Sequence, residues 1–137
     1  MKKSNPSIYS INSQSGLQTF QYYEEYFKKH LDFDSLLVNY SEHSKMLEEI
    51  LELLVDTMCS KSVTIRIGGE DKPTELVKIK LLKLNYEHIQ YVMDCLMNTT
   101  TKVKNIRQYL LTSLYNATNT IDSYYTKLVQ HDLKGFY

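Results

Sequence analysis

A mainly α fold is what this sequence predicts: a compact bundle of about five to six helices with one small β-hairpin near residues 63–77. Three observations carry the expectation. Apolar residues recur three or four apart through most of the chain from Leu17 onward. One alternating, β-branched run, 62-SVTIRI-67, is followed by the turn-forming 68-GGEDKP-73. Four Gly and two Pro in 137 residues are too few for a loop-rich chain.

Residues 1–16 are polar and turn-prone without a period, the composition of a disordered linker or tail, and a chain that opens this way reads as a piece of something longer. A single helical domain is expected over 17–134. Its first helix starts at Leu17, places Phe20, Tyr23, Phe27 and Leu31 on one face, and ends near His30. Asp32 and Asp34 are cap-type residues ahead of Leu36, Leu37 and Tyr40, which predicts a short second helix. Ser41 or Ser44 then caps a long helix whose stripe of Leu47, Ile50, Leu51, Leu54, Val55 and Met58 is the cleanest in the chain.

A strand over 63–67 and a return strand starting near Thr74 form the hairpin, with helix resuming around Ile79 to Leu84. A two-stranded ribbon is marginal in water, so it is expected to lie against helices. Asn85 caps the helix from Tyr86 to Met97, with Ile89, Val92, Met93, Leu96 and Met97 inward. Another helix runs from about Thr101 to Asn116, and Asn119 or Thr120 caps a last one carrying Ile121, Tyr124, Tyr125, Leu128 and Val129.

The net charge of zero hides an asymmetry. Residues 1–60 hold five Lys or Arg against nine Asp or Glu, and residues 61–137 hold eleven against seven, so the halves carry −4 and +4. Twelve Tyr and no Trp suit amphipathic helix surfaces, where a ring packs and its hydroxyl stays in water. Cys59 and Cys95 belong to no CxxC pair and read as small, buried, reduced apolar residues. The uncharged apolar runs are too short for a membrane span and no h-region follows the basic start, so no membrane partner and a cytoplasmic location are expected.

In 102-KVKNIRQYLLTSLYNA-117, Val103, Ile106, Leu110, Leu114 and Ala117 share one face and read as core. Lys102, Lys104 and Arg107 flank that seam, Tyr109 lies near for stacking, and no acid occurs between Asp94 and Asp122. A second group, Lys78, Lys80 and Lys83, alternates with Val77, Ile79, Leu81 and Leu82. Cations of this kind bind a nucleic-acid backbone or an acidic partner when they share a surface, and rim a packed helix when they do not.

The remaining candidates favour packing over chemistry. Gly68-Gly69 lacks the GK[ST] ending of a phosphate loop, and Glu70 and Asp71 would repel the anion, so the pair reads as a turn. His30, His43, His88 and His131 lie in separate segments with no triad or ligand spacing, and read as surface or capping residues. Glu48, Glu49, Glu52 and Asp56 make an acidic helix face without the Glu-x-x-His pairing of bundle metal sites, and read as solvated. No catalytic residue, cofactor or metal site is expected; the chain reads as no enzyme.

The order of motifs carries a resemblance. The run 57-TMCSKSVTIRIGGEDKPTELVKIKLLKLNYEHIQYVMDCL-96, followed by 98-NTTTKVKNIRQYLLTSLYNATNTIDSYYTKLVQHDL-133, resembles the C-terminal domain of RepA-type replication initiators from plasmids and integrative elements of low-GC Gram-positive bacteria. The likeness spans Tyr22 to Leu133. It implies a helical, non-enzymatic interaction module of a DNA replication initiator, docking a host replisome protein such as the primase or a helicase loader. The family's winged-helix domain is outside the likeness, so origin recognition is not carried over. The segment Thr101 to Ala117 is also similar to a helix of DnaD-like primosome proteins, and such modules can touch DNA. The partner- or DNA-binding residues expected are therefore Lys78, Lys80, Lys83, Lys102, Lys104, Arg107 and Tyr109, with sequence-independent DNA binding as the alternative to protein docking.

Overall fold

This computed structural model describes the backbone of residues 5–99 and 103–119, and the side chains of 15–99 and 103–119. The fold is mainly α with one small two-stranded antiparallel sheet. The packing groups the chain into two compact units, Met1–Lys61 and Ser62–Tyr137.

The first unit is built from three helices. α1 runs Asn5–His30, so it starts ahead of the apolar period that begins at Leu17. Its inward stripe deepens toward the C-terminus: Phe20 and Tyr23 are half-buried, whereas Phe27 and Leu31 are fully buried. Lys28, Lys29 and His30 occupy its last turn, where cations complement the negative end of the helix. His30 also donates from Nδ1 to the Tyr26 carbonyl at 3.0 Å and stacks on the Tyr26 ring with centroids 3.9 Å apart.

The chain then reverses through Asp32, whose φ of 52° lies in the left-handed region that Asp tolerates better than most residues. Asp32 stands at the N-cap of α2, Phe33–Asn39, yet its side chain makes no capping hydrogen bond. A 3-10 turn, Ser41–His43, leads into α3, Ser44–Met58. His43 holds the N-cap position of α3 without a side-chain cap, so neither expected serine caps this helix; Ser44 is its first residue.

α3 buries more than the predicted stripe. Leu53 and Thr57 join Leu47, Ile50, Leu51, Leu54, Val55 and Met58 in the interior. Such a wide arc is what a central helix needs when α1 and α2 both pack on it. Thr57 satisfies its buried hydroxyl by donating to the Leu53 carbonyl at 2.8 Å.

The second unit opens with the hairpin, which differs from its predicted register. β1 is Thr64–Ile67 and β2 is Glu70–Pro73, paired antiparallel with Ile67 opposite Glu70. Gly68 and Gly69 have φ of 58° and 85°, both positive, as a two-residue hairpin turn whose twist matches the strands demands. That tight turn sends the chain back at once. The return strand is therefore Glu70–Pro73 and not a run starting at Thr74, and Thr74 instead opens α4, Thr74–Leu82. The Thr74 hydroxyl donates to the Ser62 carbonyl at 2.6 Å and its N–H to the Val63 carbonyl at 3.0 Å, tying the helix start to the strand entry.

α5, Tyr86–Met97, has the expected Asn85 cap in reciprocal form. The His88 N–H donates to Asn85 Oδ1 at 3.2 Å, and the Asn85 N–H donates to His88 Nδ1 at 3.0 Å. His88 is thus a capping residue, buried with Ile89, Val92 and Met93. Cys95 departs from its expected burial: it is exposed, and its thiol hydrogen-bonds the Tyr91 hydroxyl, which together with charge repulsion and partial burial raises the phenol's pKa.

The next helix, α6, covers 106–119. It starts later than Thr101 because Asn105 caps it, accepting the Gln108 N–H on Oδ1 at 3.1 Å. Leu110, Leu114 and Ala117 of the expected seam are fully buried, joined by Leu111, Tyr115 and Thr118, while Val103 and Ile106 are half-buried. The helix expected to carry Ile121 to Val129 lies outside the described residues.

Candidate interaction surfaces

The two groups of cations occupy different places on the second unit. α6 is the reference axis, because one of its stripes meets both the hairpin and α4. Gln108 donates from Nε2 to the Arg66 carbonyl at 2.7 Å, and Thr112 Oγ1 accepts the Gly68 N–H at 3.1 Å, so the hairpin lies along the first turns. At the far end, Lys80 of α4 donates to Asn119 Oδ1 at 2.8 Å and sits 4.9 Å from the centroid of the Tyr115 ring. Residues 108, 112, 115 and 119 follow the spacing of a single helix face.

Lys104 and Arg107 are exposed at the opposite, N-terminal end of α6. Twelve residues of helix separate Arg107 from Asn119, about 18 Å along the axis. The Lys80 ammonium and the Arg107 guanidinium therefore mark separate ends of the helix and not one continuous patch. Tyr109, two residues on from Arg107 and so on another side of the helix, is half-buried, and its N–H donates to the Asn105 carbonyl at 3.0 Å. Lys102 lies outside the described residues.

On α4 the three lysines face different duties. Lys80 is committed to Tyr115 and Asn119, Lys78 is half-buried with its ammonium 3.7 Å from Glu75, and Lys83, just past the helix, is exposed. Thr74, Val77 and Leu81 turn inward. The other side of α4 is also apolar: Leu76 is 40% exposed and Ile79 54% exposed, one turn apart. An alternating strand pattern conceals this pair, but helical spacing of three and then four residues brings Leu76, Ile79 and Lys83 onto one outward face.

Among the described residues, no group of three or more His, Cys, Asp or Glu could hold a metal ion. No helix among them is long and apolar enough to cross a membrane.

The family model described as a family of unknown function, DUF6017, matches residues 9–135. The chain belongs to the DUF6017 family. The match takes in both units, so the hairpin, α4 and α6 all fall inside the family's span, as does α3. No curated protein and no solved structure matches the chain of this DUF6017 member.

Proposed function

We propose that the chain is a non-enzymatic interaction module of a plasmid or mobile-element replication initiator, acting in the cytoplasm and docking a host replication protein such as primase or a helicase loader. The outward face of α4 carries this reading. A helix apolar on both sides leaves Leu76 and Ile79 about half in water, and a protein surface that covers the remainder gains on the order of 1 kcal/mol for each, about half of the full-burial value. A sugar-phosphate backbone offers no such reward. Lys83 on the same face would favour an acidic partner and steer its approach. The resemblance to replication initiators supplies the class of partner.

The deciding experiment retains host primase and helicase-loader proteins on the immobilised full chain. Retention of one of them, lost when Leu76→Asp and Ile79→Asp are combined, is the expected result; no retention by the unaltered chain overturns the reading. Both positions are exposed, and the circular dichroism of the double variant should match that of the unaltered chain.

Direct, sequence-independent DNA binding is the second reading, favoured by Lys104 and Arg107 standing exposed at the N-terminal end of a segment, 103–119, that contains no acid. Affinity for a single-stranded oligonucleotide would then fall steeply with salt and drop further with Lys104→Glu and Arg107→Glu. A flat salt response removes it.

A further inference from the structure

A cleft of about 480 Å³ in the first unit lies between all three of its helices. Its residues follow from helical spacing: 20, 24 and 28 on α1, 33 and 37 on α2, and 48, 51, 52, 55 and 56 on α3. Phe20, Phe33, Leu37, Leu51 and Val55 line it with apolar surface. Phe33, Leu51 and Val55 are buried at its base, and Phe20 and Leu37 are half-buried along its sides. The charged residues of the lining are Glu24, Glu48, Glu52 and Asp56 against Lys28, four carboxylates to one ammonium. The acidic face of α3, read from sequence as solvated, is thus one bank of an apolar cleft.

We infer that this cleft is a docking site for a basic amphipathic helix of a partner protein. The lining positions run from 20 to 28 on α1 and from 48 to 56 on α3, about 12 Å or two helical turns each, with Phe20, Leu51 and Val55 the apolar residues among them and carboxylates on both banks. Apolar anchors at i, i+3 and i+4 of the incoming helix fill the base, as in helix-in-groove recognition, and its flanking Lys or Arg meet the carboxylates. Charge complementarity selects the sign: an acidic helix would set like charges against Glu24 on one bank and Glu48 on the other. The cleft belongs to the first unit alone and does not rest on the role assigned to α4.

The test uses the full chain and a fluorescent peptide of about 18 residues, five helical turns, with Leu placed on one stripe and Lys elsewhere. Two controls are a peptide of the same composition with the stripe scrambled and a Leu–Glu peptide with the stripe intact. Fluorescence anisotropy should show binding of the Leu–Lys stripe alone, weakened about tenfold by combining Glu24→Gln, Glu48→Gln and Glu52→Gln. Amide chemical-shift changes on peptide addition should cluster at 20–28 and 48–56, which distinguishes the cleft from any other acidic surface. The Gln variant removes the charges but keeps the side-chain shapes, so its far-ultraviolet circular dichroism should be unchanged. The Leu76→Asp and Ile79→Asp variant should bind the peptide as the unaltered chain does. No binding of the Leu–Lys stripe, equal binding of the scrambled peptide, or indifference to the Gln substitutions overturns the inference.

Discussion

The two units reach a closed core by different means. In Met1–Lys61 the helices meet through apolar stripes, and the side-chain hydrogen bonds of Thr19, His30 and Thr57 each reach back a single turn on their own helix. In Ser62–Tyr137, apolar burial is joined by polar clamps between distant segments. Gly68 to Thr112, Gln108 to Arg66 and Lys80 to Asn119 bridge 44, 42 and 39 residues. A four-residue strand pair cannot bury much: Ile67 is its one buried residue, so the hairpin needs those clamps to hold its place. Apolar periodicity organises the first unit, and in the second, polar contacts between distant segments add to apolar burial.

The strongest way to break this contrast is through the first unit's interior. Leu54 is wholly buried on α3, and Leu54→Ala should cost about 2–5 kcal/mol, because the lost transfer energy and the residual cavity add. Urea unfolding followed by helical circular dichroism measures it, with hydrogen exchange locating the loss on α3. A cost below about 1 kcal/mol would mean the stripe is not what closes this unit.

The same contrast explains what could be read from sequence. The α3 stripe was legible because Leu47, Ile50, Leu51, Leu54, Val55 and Met58 repeat at helical spacing whatever packs on them. The Asn85 cap was legible because an Asn before an apolar-periodic segment acts locally. The return strand was not, since Glu70, Asp71 and Lys72 are poor strand formers, held by the Gly68-Gly69 turn and by the Arg66–Asp71 ion pair at 3.1 Å across the ladder. Thr74 looked like strand because TELVKIKLLKL alternates as well as it repeats, and only its hydrogen bonds to the strand entry decide for helix.

The candidate surfaces follow the same rule. Lys104 and Arg107 were found from sequence because charge is visible there, whereas Leu76 and Ile79 required knowing that α4 is a helix with Val77 and Leu81 inward. The cleft of the first unit draws on three helices, so no single stretch of sequence announces it.

A medium-sized effect sharpens the comparison from the local side. Asn85→Ala removes the acceptor for the His88 N–H but leaves the Asn85 backbone N–H donating to His88 Nδ1, so only half of the reciprocal cap is lost. The expected cost is about 0.5–2 kcal/mol, read as a lowered thermal midpoint with α5 amides exchanging faster near the helix start. An unchanged midpoint would show that burial of His88 alone fixes this helix end.

The smallest expected effect tests the clamps directly. Thr112→Val keeps the side-chain shape and removes the oxygen that accepts the Gly68 N–H at 3.1 Å. The turn is exposed, so water can replace the lost acceptor, and the cost should lie near the low end for a neutral hydrogen bond, about 0.5 kcal/mol. Hydrogen exchange separates this from a general loss of stability. The Gly68 amide should exchange faster while Leu54 and Ile89, in the two helical cores, keep their protection. Thr112→Ser, which retains the hydroxyl, should restore the slow exchange at Gly68. If Val leaves that amide as protected as Thr does, the hairpin is held against α6 by packing alone, and the two units are built on the same principle after all.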